Sequence, residues 1–220
     1  MNTHLHVLEA YTNLYSVWPN AALKQQLSSV LQLFLEHIIH PVSHHLILFF
    51  DEAWNSKSEM ISYGHDIEAA WLLVEAAAVV GDEQLIAAVE ERSIAIAHAA
   101  AKGLDADGGL WYEKDGQTLV KEKHWWPQAE AIVGFYHAWQ HSSNNTFLEA
   151  SYNAWRYAKA NIIDYKNGEW FWGRTANGEV MKEDKVGIWK CPYHNGRACI
   201  EMLRRLTETT LAQTQTIAHL

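Results

Sequence analysis

The chain has 220 residues, 49% of them hydrophobic and 20% charged, with no low-complexity tract, so residues 1–220 read as one globular domain with material for a real core. A net charge of −9, with the Lys and Arg residues scattered rather than gathered in a stripe, argues against nucleic acid as a partner. No apolar run reaches membrane-spanning length, the start "MNTHLHVLEAY" lacks a signal-peptide pattern, and Cys191 and Cys199 are too few for a disulfide framework, so a cytoplasmic protein is expected.

In chain order, the first expected helix is "HVLEAYTNLYSVW" from His6, followed by the amphipathic "NAALKQQLSSVLQLFLEHII" and the aromatic connection "HHLILFFDEAW". "HDIEAAWLLVEAA" from His65 is apolar on nearly every side and must be buried. Gly81 stops it, and Asp82 starts the next helix. That helix, "DEQLIAAVEERSIAIAHAAAKG", places Leu85, Ile86, Val89, Ile94 and Ile96 at helical spacings broken by charges, which predicts one solvent face. "GGLWYEKDG" then reads as a hairpin or extended loop, "PQAEAIVGFYHAW" from Pro127 as a second buried helix, and "NTFLEASYNAWRYAKANII" as a second half-exposed one. A further hairpin or extended loop, "GEWFWGRTANGEV", precedes a last helix, "HNGRACIEMLRRL", from His194.

Aligned on their polar leaders, the segments from His6, His65, Pro127 and His194 are copies about sixty residues apart. Three carry Glu at the fourth place, Glu9, Glu68 and Glu130, and the last has Arg197 there. Buried helices alternate with half-exposed ones, the pattern of an α/α toroid in which inner helices pack on both sides. If the inner helices run parallel, their N-termini open on one end, and His6, His65, Trp125, Trp126 and His194 converge on a concave pocket. The positive helix ends there favour Glu68 and its equivalents as carboxylates and keep the imidazoles neutral, able to act as bases.

Each of these residues also has a plainer explanation. A His or Glu in a first helical turn can simply complement the dipole, and four coincident copies weaken that explanation without removing it. Trp71, Trp139 and Trp155 lie inside helices and read as core, whereas Trp125 and Trp189 fit either core filling or stacking on sugar CH faces. His37, His40, His44, His45, His98, His137 and His141 read as surface or structural. Cys191, His194 and Cys199 match no zinc spacing, so no metal site is expected and the two cysteines read as partly buried and structural.

The motifs "MNTHLHVLEAYTNLY", "YGHDIEAAWLL", "HWWPQAEAIVGFY" and "EWFWG...DKVGIWKCPYHNGRACIEMLRRL" resemble the N-acylglucosamine 2-epimerase superfamily, most closely its cellobiose (mannobiose) 2-epimerase branch, from the first residues to about Leu206. The resemblance implies an all-α fold, part of an (α/α)6 barrel with about four inner and three outer helices here and short β-hairpin loops. It implies C2 epimerisation of the reducing-end sugar of a β-1,4-disaccharide such as cellobiose or mannobiose, with no cofactor and no essential metal. By the same resemblance, His65 and His194 remove and return the C2 proton from opposite faces and Glu68 supports that traffic. Asn2, His6 and Glu130 line the sugar, and Trp125 and Trp189 stack on it.

Family members are nearly twice this long, and the unmatched part would hold an arginine that stabilises the enediolate oxygen. None of Arg197, Arg204 and Arg205 matches that position. The resemblance therefore implies a C-terminal part of an epimerase, active or inactive alone, whose apolar edges drive self-association or pairing with a separate N-terminal fragment. Two alternatives from other classes are a non-catalytic sugar-binding or assembly module, and a glycoside hydrolase using a pair among Glu9, Glu68 and Glu130.

Overall fold

A computed structural model describes the backbone of residues 1–218 and the side chains of residues 1–209. Seven α-helices account for most of these residues: α1 (Asn2–Val17), α2 (Ala21–Leu33), α3 (Tyr63–Val80), α4 (Glu83–Ala101), α5 (Trp125–Ser142), α6 (Asn145–Tyr157) and α7 (Tyr193–Ala218). Five short strands lie between them: β1 (Ile61–Ser62), β2 (Glu113–Asp115), β3 (Thr118–Val120), β4 (Lys123–His124) and β5 (Gly173–Arg174). They form two antiparallel sheets, β1-β2-β3 and β4-β5.

The inner row is α1, α3, α5 and α7, each packed on the next, with α2, α4 and α6 forming the outer layer. Four inner and three outer helices agree with the repeat, and the expected partial (α/α)6 barrel is the fold observed. Helices α3 and α5 are buried almost all round because they have an inner helix on each flank and outer helices behind. Their backbones approach closely at Gly134, where an added Cβ would stand 2.5 Å from the Ile67 carbonyl oxygen.

Helix ends follow local chemistry. Gly81 closes α3 in the left-handed region (φ 70°), which its missing Cβ allows, and the Asp82 carboxylate opens α4 by accepting the Leu85 N–H at 2.9 Å. Asn20 and Asn144 cap α2 and α6 in the same way. Each outer helix then runs into a loop pinned by an isolated β-bridge, Ile39 with Leu46, Leu104 with Leu110, and Ile163 with Trp170. In α2 and α6 the last turn widens to a π-turn, Phe34–Ile38 and Ala158–Ile162, before that bridge.

Two buried polar contacts tie these loops to the inner helices. Asp66 on α3 accepts the Leu46 N–H at 2.8 Å and faces His45 Nδ1 at 2.6 Å, while the Gln128 amide on α5 exchanges two hydrogen bonds with the backbone of Leu110. His45 therefore has the structural role expected for the histidines outside the repeat. Among the described residues no helix is long and apolar enough to cross a membrane.

Candidate active site

The four residues at the fourth place of the repeat meet. Arg197 on α7 sets one guanidinium nitrogen 2.5 Å from Glu9 on α1, and the other 2.6 Å from Glu68 on α3 and 2.7 Å from Glu130 on α5. The Tyr193 hydroxyl donates to Glu9 and accepts from Arg197 at 2.7 Å. The indole N–H of Trp71 donates to Glu130 Oε2 at 3.0 Å. The guanidinium lies over the rings of Trp71 and Tyr193, 5.0 and 4.4 Å from their centroids.

One cation cannot neutralise three carboxylates, and their environments separate them. Burial opposes ionisation of Glu130, but Arg197 and the His194 hydrogen bond outweigh it and hold the carboxyl below its ordinary range. Glu68 is pushed up by burial and then by the neighbouring Glu130 charge, and its Oε2 has no partner among the described residues. At Glu9, burial is overcome by His6, Arg197 and Tyr193, leaving it at about 2. This departs from the dipole expectation for Glu68, because desolvation of a side chain 1% exposed exceeds the help of a helix terminus.

Two of the three histidines that lead the repeat pack against Trp126, their ring centroids 4.7 Å (His65) and 5.5 Å (His194) from the indole. His194 Nδ1 faces Glu130 Oε1 at 2.8 Å, with Glu68 at 3.8 Å, whereas His65 Nδ1 faces the Ser62 hydroxyl at 2.7 Å. Burial, with smaller contributions from His6 and His194, lowers His65 to about 4, so it is neutral at physiological pH. His6 lies 3.7 Å from Glu9, which raises its basicity against the cost of burial. Gly64 makes room for the indole: a Cβ there would stand 2.5 Å from the Trp126 ring. A neutral imidazole and a carboxylate-backed imidazole packed against one indole are equipped to take and return a proton.

The expected site residues are only partly gathered. His65, His194, Glu68 and Glu130 are together, and His6 borders them through Glu9 and Tyr193. Asn2 is exposed at the start of α1. Trp125 is buried against Trp172, 4.6 Å between centroids, with Lys190 Nζ 5.2 Å from its ring, so the indole beside the histidines is its neighbour Trp126. Trp189 is 82% exposed at the tip of a tight turn closed by Gly187 and Lys190. The fully buried Lys190 anchors that turn, donating to Glu169 at 2.8 Å; Glu169 also accepts from Asn195 on α7 at 3.0 Å.

Sequence reasoning gave Tyr193 and Ser62 no role, read Trp71 as core, and left Arg197 as the odd member of the repeat. Its clue was the charge: one Arg set against three Glu at the same repeat position. The thiols of Cys191 and Cys199 are exposed, where partly buried ones were expected: Cys191 lies in the loop before α7, and the face of α7 that carries Cys199 has no outer helix over it among the described residues. Glu68, Glu130 and His194 each bring one ligand atom within 4.8 Å of the others, a spacing that suits a metal ion, but the Arg197 guanidinium already holds the same Glu68 and Glu130 oxygens.

The fold and the convergence of inner-helix ends on one charged hub define an α/α-toroid protein. The chain belongs to the N-acylglucosamine 2-epimerase family, whose sequence model, N-acylglucosamine 2-epimerase (GlcNAc 2-epimerase), matches residues 1–198. It is 50% identical over 206 residues to the cellobiose 2-epimerase of Bacteroides fragilis, covering 92% of this chain and 53% of that protein. It is 40% identical to that of Dictyoglomus turgidum, covering 94% and 53%. The solved structure of cellobiose 2-epimerase from Bacillus thermoamylovorans B4167 matches with a TM-score of 0.89 at 42% identity, over 93% of this chain and 53% of that one. The chain spans about half the length of the relatives it matches.

Proposed function

We propose that the chain supplies the two-histidine part of a sugar 2-epimerase acting at C2 of the reducing-end sugar of a β-1,4-disaccharide, cellobiose or mannobiose. The observation that carries this reading is that His65 and His194 both pack against Trp126 with different partners at Nδ1, the Ser62 hydroxyl and the Glu130 carboxylate. After ring opening, one imidazole removes the C2 proton to leave an enediolate, and the other delivers a proton to the opposite face. Trp126 offers a face to the sugar, and Glu130 holds the His194 ring by its Nδ1. Names of relatives support cellobiose as the first substrate to try.

The carboxylates do not favour a hydrolase. All three are bound to one guanidinium, whereas glycoside hydrolysis needs an acid and a base or nucleophile free on two sides of the bond. Arg197, so engaged, is equally unfit to stabilise an enediolate oxygen.

The reading therefore includes a second polypeptide segment, equivalent to the part of the relatives that this chain does not span, which brings that cation. An apolar groove of about 440 Å³ supports such a neighbour; it runs between α5, α6 and α7 and is lined by Tyr136, Tyr152, Trp155, Cys199, Met202 and Leu203. Leu203 on its rim is 69% exposed. Incubating the chain together with the N-terminal portion of the Bacteroides fragilis relative, produced as a separate polypeptide, with cellobiose in deuterated water and following C2 by NMR tests the chemistry. Deuterium at C2 with a new epimer signal supports it, and release of monosaccharide overturns it in favour of hydrolysis.

A further inference from the structure

Ser62 occupies the N-cap of α3, the position where a serine hydroxyl ordinarily accepts an N–H of the first turn, yet its side chain makes no such bond. Asn20, Asp82 and Asn144 do so on every outer helix. The Ser62 hydroxyl is instead 2.7 Å from Nδ1 of His65, three residues on. It is fully buried, and its backbone is held in register opposite Glu113 in the β1-β2 ladder, so the oxygen is fixed from both the strand and the helix side.

We propose that Ser62 is a positioning residue that sets the tautomer of His65: its oxygen accepts the Nδ1–H, which leaves the Nε2 lone pair as the only site able to take a proton. A neutral imidazole carries one ring proton, and the partner at one nitrogen decides which nitrogen remains basic. A hydroxyl does this without adding charge. A carboxylate at that position would favour a protonated ring, whereas the Ser62 hydroxyl leaves the imidazole neutral and unprotonated at Nε2. The two histidines are thus built unequally, one backed by a carboxylate and one by a neutral hydroxyl. When His65 receives a proton at Nε2, Nδ1–H stays in place and the bond to Ser62 persists.

Part of the test rests on the epimerase reading and part does not. The independent part is the tautomer of His65 in the 15N-labelled chain, read at neutral pH from long-range proton–nitrogen correlations and assigned with His65→Gln. The Nδ1–H form is expected in the native chain and its loss in Ser62→Ala, while His45, held by Asp66 one residue beyond His65, keeps its signal as a control for folding. An Nε2–H form in the native chain, or an unchanged tautomer in Ser62→Ala, overturns the proposal. If Ser62→Ala disturbs His45, Ser62→Cys, whose sulfur is a weak acceptor, gives the same reading. The dependent part is C2 exchange, measured with the same N-terminal polypeptide present and expected to fall roughly tenfold in Ser62→Ala at unchanged sugar affinity. Exchange absent from every variant and from the native chain counts against the epimerase reading and leaves the tautomer result standing.

Discussion

Arg197 and Glu130 meet between α7 and α5 with 2.7 Å between guanidinium nitrogen and carboxylate Oε1, the oxygen that His194 also approaches at 2.8 Å. A single atom thus joins the charged hub to a proposed catalytic imidazole. Arg197→Met would leave Glu9, Glu68 and Glu130 facing one another without a cation. Breaking a buried pair from one side costs about 3–5 kcal/mol. Thermal unfolding of this variant should begin well below that of the native chain, and an unchanged melting temperature would show that the hub is not holding the four helices.

The lowered values of His65 and Glu9 both make stability fall with acid, in two successive windows. His65 titrates at about 4 folded against its ordinary 6.5, so its contribution is complete above 6.5 and is lost as pH falls toward 4. Glu9 titrates at about 2 folded against 4.5, so its contribution is lost between about 4.5 and 2. Glu68 and His6, whose values are raised, act in the opposite sense, so calorimetry across pH 7 to 3 isolates His65 by comparing the native chain with His65→Gln. The decline between 6.5 and 4 should be shallower in His65→Gln, and an identical slope there would contradict the lowered value.

Two glycines test packing separately from chemistry. Gly134→Ala pushes a Cβ into the Ile67 carbonyl between two inner helices, with an expected loss of about 1–3 kcal/mol in denaturant unfolding. Gly64→Ala meets only the rim of the Trp126 ring and the edge of Pro127. Its expected effect is displacement of the indole, read as weaker cellobiose binding in calorimetry. Native affinity in Gly64→Ala would remove Trp126 from the sugar site.

The groove beside α7 predicts association with the N-terminal portion of the Bacteroides fragilis relative, produced as a separate polypeptide. Leu203→Asp should abolish the complex in analytical ultracentrifugation without unfolding the chain, since Leu203 is largely exposed. A complex that survives this change lies elsewhere on the surface. Self-association alone, with no binding of the added polypeptide, would assign the groove to a second copy instead.

The ring was legible in the sequence because inner helices buried on both flanks, such as α3, must be apolar nearly all round, and because the polar leader repeats every sixty residues or so. His65, His194, Glu68 and Glu130, which the fold brings together, share that same register. Arg197 was seen but not understood, because its partners are 67 to 188 residues away and only packing brings them together. Trp125 and Trp126 are adjacent in sequence, and which indole faces the histidines depends on the rotation of α5 about its axis. Ser62 was missed because a serine before a helix already has a sufficient explanation as a cap.

The most direct measurement is isotope exchange at C2 with each histidine removed in turn, on glucose-ended and mannose-ended disaccharides in deuterated water, with the complementary N-terminal polypeptide present. His65→Asn and His194→Asn should each lose inversion, and each should still exchange C2 of one epimer, a different one in the two variants. Exchange lost from the same epimer in both variants, or inversion retained in either, would mean that the two imidazoles do not serve opposite faces of C2.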